Sequence, residues 1–424
     1  MIETFFNKIR LIIKDSTLRK RLLFVVFALV IFRALATIPI PGIDILQLEN
    51  FFANNQFLGL LNIFSGGGLS NLSIVMLGVG PYITASIIMQ LLTIMSPKLK
   101  ALYQEEGEAG RKRFSQYSRL ITIPLAIVQG FSFYVLLQRQ GIITDIDLFT
   151  TITNVMVIAT GSILLMWIGE LISEFGIGNG VSLIIFGGIV ASLPTTISQL
   201  VFSFDIAQLP LYIGFVLVGI LITAGVVVVT EAERPIPITY ARRVRGMKVY
   251  GGISTYLPIR VNQAGVIPII FALSMLLLPQ MVFSFLASLN VALVSSVSAA
   301  IVSGLSNQLI YAIVYFILVF LFTYFYTAVT FDPDTISKNL QKSGAFIPGV
   351  RPGIMTAGYI AKILTRLTLV GALFLGCIAV LPLGMQAITG ITALAIGGTA
   401  LLIAVSVVLD LVKKIDAQIA MREY

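Results

Sequence analysis

Only four ionisable side chains lie within or against the long apolar runs of this 424-residue chain: Arg33, Glu170, Glu174 and Asp410. Pumps, ion-coupled carriers and intramembrane proteases set acids, bases or nucleophiles at depth, each costing roughly 2.5 to 3.5 kcal/mol to insert. Here Glu170 and Glu174 flank the end of one run, Asp410 closes another, and Arg33 lies three turns beyond Arg21, near enough to an end to snorkel. All four read first as structural, and no carboxylate pair suited to a proton relay is present. Histidine is absent and Cys377 is the one cysteine, which excludes Cys or His zinc sites, disulfide frameworks, Ser-His triads and Cys-His dyads. The chain is therefore expected to be no enzyme and to use no cofactor or metal. A passage gated by aliphatic side chains needs none of these groups, because a ring of Val and Ile stays dry and blocks ions by dewetting.

The elements that position such a ring are membrane spans. The chain is 57% hydrophobic and 11% charged, against about a quarter charged in soluble proteins. A helix needs about 20 apolar residues to cross roughly 30 Å of hydrocarbon. Charge-free stretches run over 50–97, 120–138, 148–169, 175–204, 206–230, 261–331 and 367–409, with a further apolar run from Leu22. The stretch 261–331 is too long for one helix and is rich in Ser and Asn from Ser284 to Gln308, so it reads as two spans and a loop. The stretch 367–409 is interrupted by Leu381-Pro382-Leu383-Gly384 and reads as helices near 363–381 and 388–410. The total is ten spans. With both termini in the cytoplasm, 26 of the 28 Lys and Arg fall on that side, and only Arg33 and Arg139 do not. The net charge of +9 thus reads as orientation charge; the basic residues form no continuous arm, and no direct DNA binding is expected.

Three further segments stand out. Residues 1–21 pair Ile2, Phe5, Phe6, Ile9, Ile12 and Ile13 with Lys8, Arg10 and Lys14, a helical spacing for a segment lying on an anionic membrane; a signal-peptide leader is the alternative. About seven apolar residues from Leu58 end in Gly66-Gly67-Gly68, which reads either as a re-entrant half-helix or as an apolar loop. Gly78-Val79-Gly80-Pro81-Tyr82-Ile83 and Gly265-Val266-Ile267-Pro268-Ile269-Ile270 share the pattern G-V-x-P-x-I in spans two and seven. Five-span halves of opposite topology would produce that, as would two unrelated Gly-Pro kinks. The loops 231–260 and 330–366 are long and basic, either solvated faces or a docking surface for a cytosolic partner.

The segments IPIPGID (38–44), LLNIFSGGGLSNLSIVMLGVGPYITASIIMQLLT (60–93), EGEAGRKRFSQYSR (106–119), MWIGELISEFGIGNGVSLIIFGGIVASLP (166–194), VNQAGVIPIIFA (261–272), KSGAFIPGVRPG (342–353) and GGTALLI (397–403) resemble the SecY family, the channel subunits of bacterial protein export, over essentially the whole chain. The resemblance implies an all-α multi-pass membrane protein of ten helices in two inverted pseudo-symmetric halves. The N-terminal half would be 22–200 and the C-terminal half 201–411, followed by a short cytoplasmic tail, 412–424. It implies a plug half-helix near 60–72, including Asn62, Ile63, Phe64, Ser65, Gly66, Gly67, Gly68 and Leu69. A pore ring of Val79, Ile83, Val181, Ile185, Ile270 and Ile403 and a lateral gate between spans two and seven follow from the same motifs. Docking of a motor or ribosome falls to Arg351, Arg242, Arg243 and Lys248. Where relatives often carry two basic residues after the loop glycine, this chain has Met247 then Lys248. Implied partners are the small membrane subunits SecE and SecG, the SecA motor ATPase, the ribosome, signal-sequence-bearing polypeptides and the lipid of a bacterial inner membrane. A secondary transporter of a small solute also uses inverted repeats and broken helices, but predicts a compact polar site at the midplane. A membrane scaffold without a conduit is a third class.

Overall fold

The computed structural model describes residues 15–41, 65, 67–69, 71–104, 106–139, 141–143, 147–202, 209–240, 243–245, 248–250, 254–287, 292–389 and 392–420. Before the first long polar loop come α1 (Ser16–Leu35), α2 (Gly80–Met95), α3 (Pro97–Gln104), α4 (Gly107–Arg139), α5 (Leu148–Phe175), α6 (Gly180–Phe202) and α7 (Leu209–Glu231). After it come α8 (Ile267–Ala287), α9 (Ala292–Ser306), α10 (Gln308–Thr330), α11 (Pro333–Lys342), α12 (Ile354–Thr389) and α13 (Thr392–Ala420). Helix is what an apolar run must adopt in lipid, where each backbone amide finds its partner within the segment. Polar residues start the helices: Asp15 accepts from the Thr17 amide at 2.8 Å and Asn307 from the Leu309 amide at 3.0 Å. Hydroxyls inside the spans close on their own helix, as Thr122 does on the Ser118 carbonyl (2.8 Å) and Thr323 on that of Val319 (2.7 Å).

Five described helices are long and apolar enough to cross a bilayer, or six when α2 and α3, bent by 118° at Ser96, count as one broken span. The bend follows from Pro97, which forces Ser96 into extended backbone (φ −121°, ψ 112°). The chain is thus a multi-pass, mostly helical membrane protein, and helix length alone does not fix a count of ten.

Three boundaries differ from the sequence expectation. The Ser-rich stretch Ser284–Gln308, expected as a loop, contains α9, packed between α8 and α10. Its serines fold back on the helix, as Ser303 does by donating to the Ala300 carbonyl at 2.9 Å. α12 runs through Leu381-Pro382-Leu383-Gly384 to Thr389 rather than stopping at 381, so Pro382 lies inside a helix. α4 begins at Gly107, not near 120, because Lys, Arg and Glu sustain a helix out of the apolar zone.

The two basic loops form one folded unit. β1 (Glu233–Tyr240) pairs antiparallel with β4 (Ser254–Arg260), from Glu233↔Arg260 to Thr239↔Ser254. β5 (Ala345–Phe346), from the other loop, adds to the far edge of β1 through Thr239↔Phe346 and Tyr240↔Ala345. Between β1 and β4, β2 (Arg243–Arg245) and β3 (Lys248–Tyr250) make a small hairpin. Pro235 faces Pro258, a pair with no amide to exchange, so the odd positions of β1 are the non-hydrogen-bonded ones and Pro237 is tolerated among them. Ile236 and Ile259 turn inward onto Ile347, Ile360, Ile363 and Leu364.

The main apolar core joins α1, α2, α5, α6 and α7 to α8, α10, α12 and α13. A second cluster packs Leu69, Leu72, Met76 and Leu77 against Phe133, Tyr134 and Leu137 of α4 and Val155 and Ile158 of α5.

Candidate functional site

Residues 71–79 enter the bundle as hydrogen-bonded turns rather than helix, so their carbonyls need partners from outside the segment. α5 provides for them. Ser162 donates to the Gly78 carbonyl at 2.8 Å, and Gly161 leaves room for the Ile74 carbonyl, which a Cβ at 161 would overlap. On the other flank an isolated antiparallel bridge, Pro39↔Ser73, ties the segment to the exit of α1: the Ile40 amide donates to Leu72 and the Ile74 amide to Ile38, both at 3.0 Å.

Of the residues expected in the plug, Ser65, Gly67, Gly68 and Leu69 are buried in turns, with the Leu69 amide donating to the Ser65 hydroxyl at 3.0 Å. Gly67 holds φ +82°, and a Cβ there would sit 3.1 Å from Arg33 Nη1. Arg33, in the last turn of α1, thus faces the glycine-rich segment as well as the electronegative end of its own helix. Asn62, Ile63, Phe64 and Gly66 lie outside the described residues.

The two copies of G-V-x-P-x-I share one backbone. Gly78 (φ +58°) and Gly265 (φ +61°) both occupy the left-handed region, two residues before α2 and α8 begin, and Pro81 and Pro268 each take the second helical position. α2 and α8 pack against each other. The repeated pattern is therefore a repeated conformation.

The six aliphatic residues matched to the pore ring come from four helices and meet in one apolar cluster. Val79 precedes α2 and Ile83 is within it; Val181 and Ile185 lie on α6, Ile270 on α8 and Ile403 on α13. Val79 and Ile185 are 0% exposed, Ile403 1%, Ile83 5% and Ile270 6%; Val181 is partly buried and packs against the same cluster. None of them faces outward. α6 reaches this level through a tight turn after α5: the Gly180 amide donates to Ser173 Oγ at 2.8 Å, and a Cβ at Gly180 would overlap the Gly169 carbonyl. Chemically the cluster is a dry aliphatic contact between the two parts of the chain.

The ionisable groups at the span ends are engaged structurally. Glu170 pairs with Arg119 of α4 at 2.5 Å and Asp410 with Lys414 at 2.7 Å, while Lys413 ties α13 to Glu231 of α7 at 2.8 Å. Among the described residues no group of three or more His, Cys, Asp or Glu is placed to hold a metal.

On the loop face, Arg351 is exposed between Gly349 (φ +82°) and Gly353 (φ +99°). That turn is fastened by Ser337 Oγ donating to the Gly353 carbonyl (2.7 Å) and Thr356 Oγ1 to that of Arg351 (2.9 Å). Arg243 and Lys248 belong to β2 and β3; Arg242 and Met247 lie outside the described residues. Sequence reasoning missed Gly161, Ser162 and the Arg119–Glu170 pair, since each acts on a partner at least 50 residues away.

The SecY family model matches residues 73–412. The protein translocase subunit SecY of Streptomyces galbus is 41% identical, covering 97% of this chain and 97% of its own. A solved SecY structure, whose plug domain is described as stabilising the closed state of the translocation channel and maintaining a membrane seal, superposes with TM-score 0.66 at 20% identity, covering 96% of this chain and 93% of the other. Sec61 in the canine ribosome–channel complex from the endoplasmic reticulum superposes with TM-score 0.62 at 19% identity, covering the same shares. These likenesses share the fold described above, and the sequence match settles the kinship: the chain belongs to the SecY family.

Proposed function

We propose that this protein is the pore-forming subunit of a Sec protein translocase, passing unfolded secretory polypeptides across a bacterial inner membrane and releasing apolar segments sideways into lipid. The observation that carries the reading is the convergence of Val79, Ile83, Val181, Ile185, Ile270 and Ile403 in one buried aliphatic cluster at the junction of the two parts of the chain. They form the collar of a closed pore. Ten spans in two inverted halves carry it, with both termini and the loops 231–260 and 330–366 in the cytoplasm. The segment 62–69 is the plug, and α2 and α8 form the lateral exit, which a signal sequence enters by replacing helix contacts with its own. The protein hydrolyses nothing; work comes from the SecA motor or from elongation on a ribosome, docked at Arg351 and its neighbours Arg242, Arg243 and Lys248. SecE and SecG complete the membrane complex. The relatives' name favours this reading over a small-solute carrier.

The test replaces Ile403 or Ile185 with Asn and follows ion leakage of proteoliposomes together with export of a reporter bearing a defective signal. Both should rise, because one polar side chain wets a ring that depends on staying dry. Unchanged leakage and unchanged export in both variants would remove these residues from the collar.

A further inference from the structure

α2 contributes two collar residues, Val79 at its cap and Ile83 in its first turn, and Tyr82 lies between them in sequence. The other hydrogen-bonding side chains of α2 close on their own helix: Thr84 on the Gly80 carbonyl, Gln90 on Ser86 and Thr93 on the Gln90 carbonyl. Tyr82 does not. Its hydroxyl is hydrogen-bonded to the side chain of Ser115 on α4 and stands in the fields of Arg119 and Glu170. Ser115 and Arg119 are one turn apart on α4, and Arg119 Nε meets Glu170 Oε1 of α5 at 2.5 Å, with the Glu170 side chain only 17% exposed. Three helices of one half therefore meet at a single polar junction beside the collar. The opposite flank of α2 packs on α8, across the contact a signal sequence has to open.

We propose that Tyr82, held by Ser115 and the Arg119–Glu170 pair, is a positioning residue that registers α2 on its own half and so sets how tightly Val79 and Ile83 close the collar. A phenol has one rigid reach and one hydroxyl, so the junction fixes the rotation of α2 about its axis as well as its distance from α4. With the junction intact, α2 leaves α8 only by carrying α4 and α5 with it; with the junction broken, α2 turns alone and the collar loosens without substrate. This inference rests on the channel reading above.

The experiment compares Tyr82→Phe, which keeps the ring and deletes the hydroxyl, with Glu170→Gln, Ser115→Ala and the double variant Tyr82→Phe/Glu170→Gln, in proteoliposomes of the complete translocase. Ion leakage without substrate and export of the defective-signal reporter are read together, with Ile403→Asn as reference and thermal unfolding as a check on folding. Loss of a hydrogen bond to a charged network should raise both readouts about tenfold in each single variant, and the double variant should match the larger single because both break the same junction. Leakage that is unchanged in Tyr82→Phe, or that multiplies in the double variant, overturns the proposal. If Ile403→Asn leaks and Tyr82→Phe does not, only the positioning role fails; if Ile403→Asn is also tight, the collar reading fails with it. Should Glu170→Gln misfold, Ser115→Ala paired with Tyr82→Phe supplies the same comparison.

Discussion

Replacing Gly161 by Ala adds one methyl group at a place where backbone passes backbone. A Cβ built on Gly161 overlaps the Ile74 carbonyl oxygen and lies 2.8 Å from its carbon and 3.3 Å from the Val75 Cα. Ordinary carbon contacts begin near 3.5 Å, so the segment must retreat by about 0.7 Å at the carbonyl carbon and further at the oxygen. No flexible side chain is available to absorb this, because the groups struck are main chain. The neighbouring residue makes matters worse: Ser162 Oγ holds the Gly78 carbonyl at 2.8 Å, and a retreat of that size stretches the bond toward or past 3.5 Å. Overpacking of this kind costs about 1 to 3 kcal/mol, and a buried carbonyl left without its donor about 1 kcal/mol more. Gly161→Ala should therefore lower stability by about 2 to 4 kcal/mol and displace Val79, five residues beyond Ile74, from the collar. Thermal unfolding of the purified complex and ion leakage of proteoliposomes measure the two consequences, with Ser162→Ala as a comparator that loses the hydrogen bond but adds no atom. An alanine variant that unfolds at the parent temperature and remains sealed would show that residues 74–79 are not clamped by α5, and the account of how the collar is positioned would have to be abandoned.

Reversing Arg351 to Glu should reduce motor-driven export about tenfold through loss of a charged contact on the rim of the docking face, while the assembled channel is recovered from membranes in normal amount. Ile259→Ala, at a side chain 0% exposed beneath the three-stranded sheet, should cost about 2 to 4 kcal/mol locally and weaken binding of the cytosolic partner without changing ion leakage; increased leakage would deny the loop unit its independence. Gly78→Ala and Gly265→Ala should each destabilise by about 1 to 2 kcal/mol, read by thermal unfolding, because both glycines hold positive φ. At Gly265 nothing lies within 4 Å of an added Cβ, so a neutral result there would mean that the backbone of the α8 start relaxes at no cost.

The helices on the apolar stretches were legible from charge spacing alone, because hydrocarbon leaves an uncharged run no other backbone to adopt. Their ends were less so. Ser284–Gln308 looked like a loop because serine signals turns in water, whereas between α8 and α10 its hydroxyls close on the backbone and α9 forms. Leu381-Pro382-Leu383-Gly384 looked like a break, yet α12 passes through it. β5 is two residues long and pairs with a strand more than 100 residues earlier, so neither alternation nor length announced it. The repeated G-V-x-P-x-I was visible as a pattern, but only the matching φ values of Gly78 and Gly265 make it one conformation used twice. The collar residues were out of reach of composition: any membrane helix is full of Val and Ile, and the six were selected by resemblance to a family. What distinguishes them physically is a common location, which is a property of packing.

That location also explains how a passage wide enough for a polypeptide remains closed to ions. Transferring a fully buried Val or Ile side chain to water costs about 1.5 to 3 kcal/mol, so wetting five buried side chains and the partly buried Val181 together costs on the order of 10 kcal/mol. Each 1.4 kcal/mol is a factor of ten, so a hydrated collar is populated at roughly one part in 10⁷ without help. Thermal fluctuation is then no route for leakage, and the helices need no ion pair across the pore. Opening requires a ligand that binds the open form better by a comparable amount, and an apolar segment inserting between α2 and α8 meets that requirement, since it covers the surface that separation exposes. A polar segment at the same place covers nothing and leaves the gate shut. Discrimination between signal and non-signal sequences thus follows from the aliphatic character of the seal itself, and substituting Asn for Ile403 weakens both together: it removes the transfer cost of one side chain and adds an amide that favours water. Loss of the ion seal and relaxed signal selection should accordingly move in proportion across a series at position 403, Val, Ala, Ser and Asn. A residue in that series that leaks without accepting a defective signal would separate two properties that a single dry collar cannot separate.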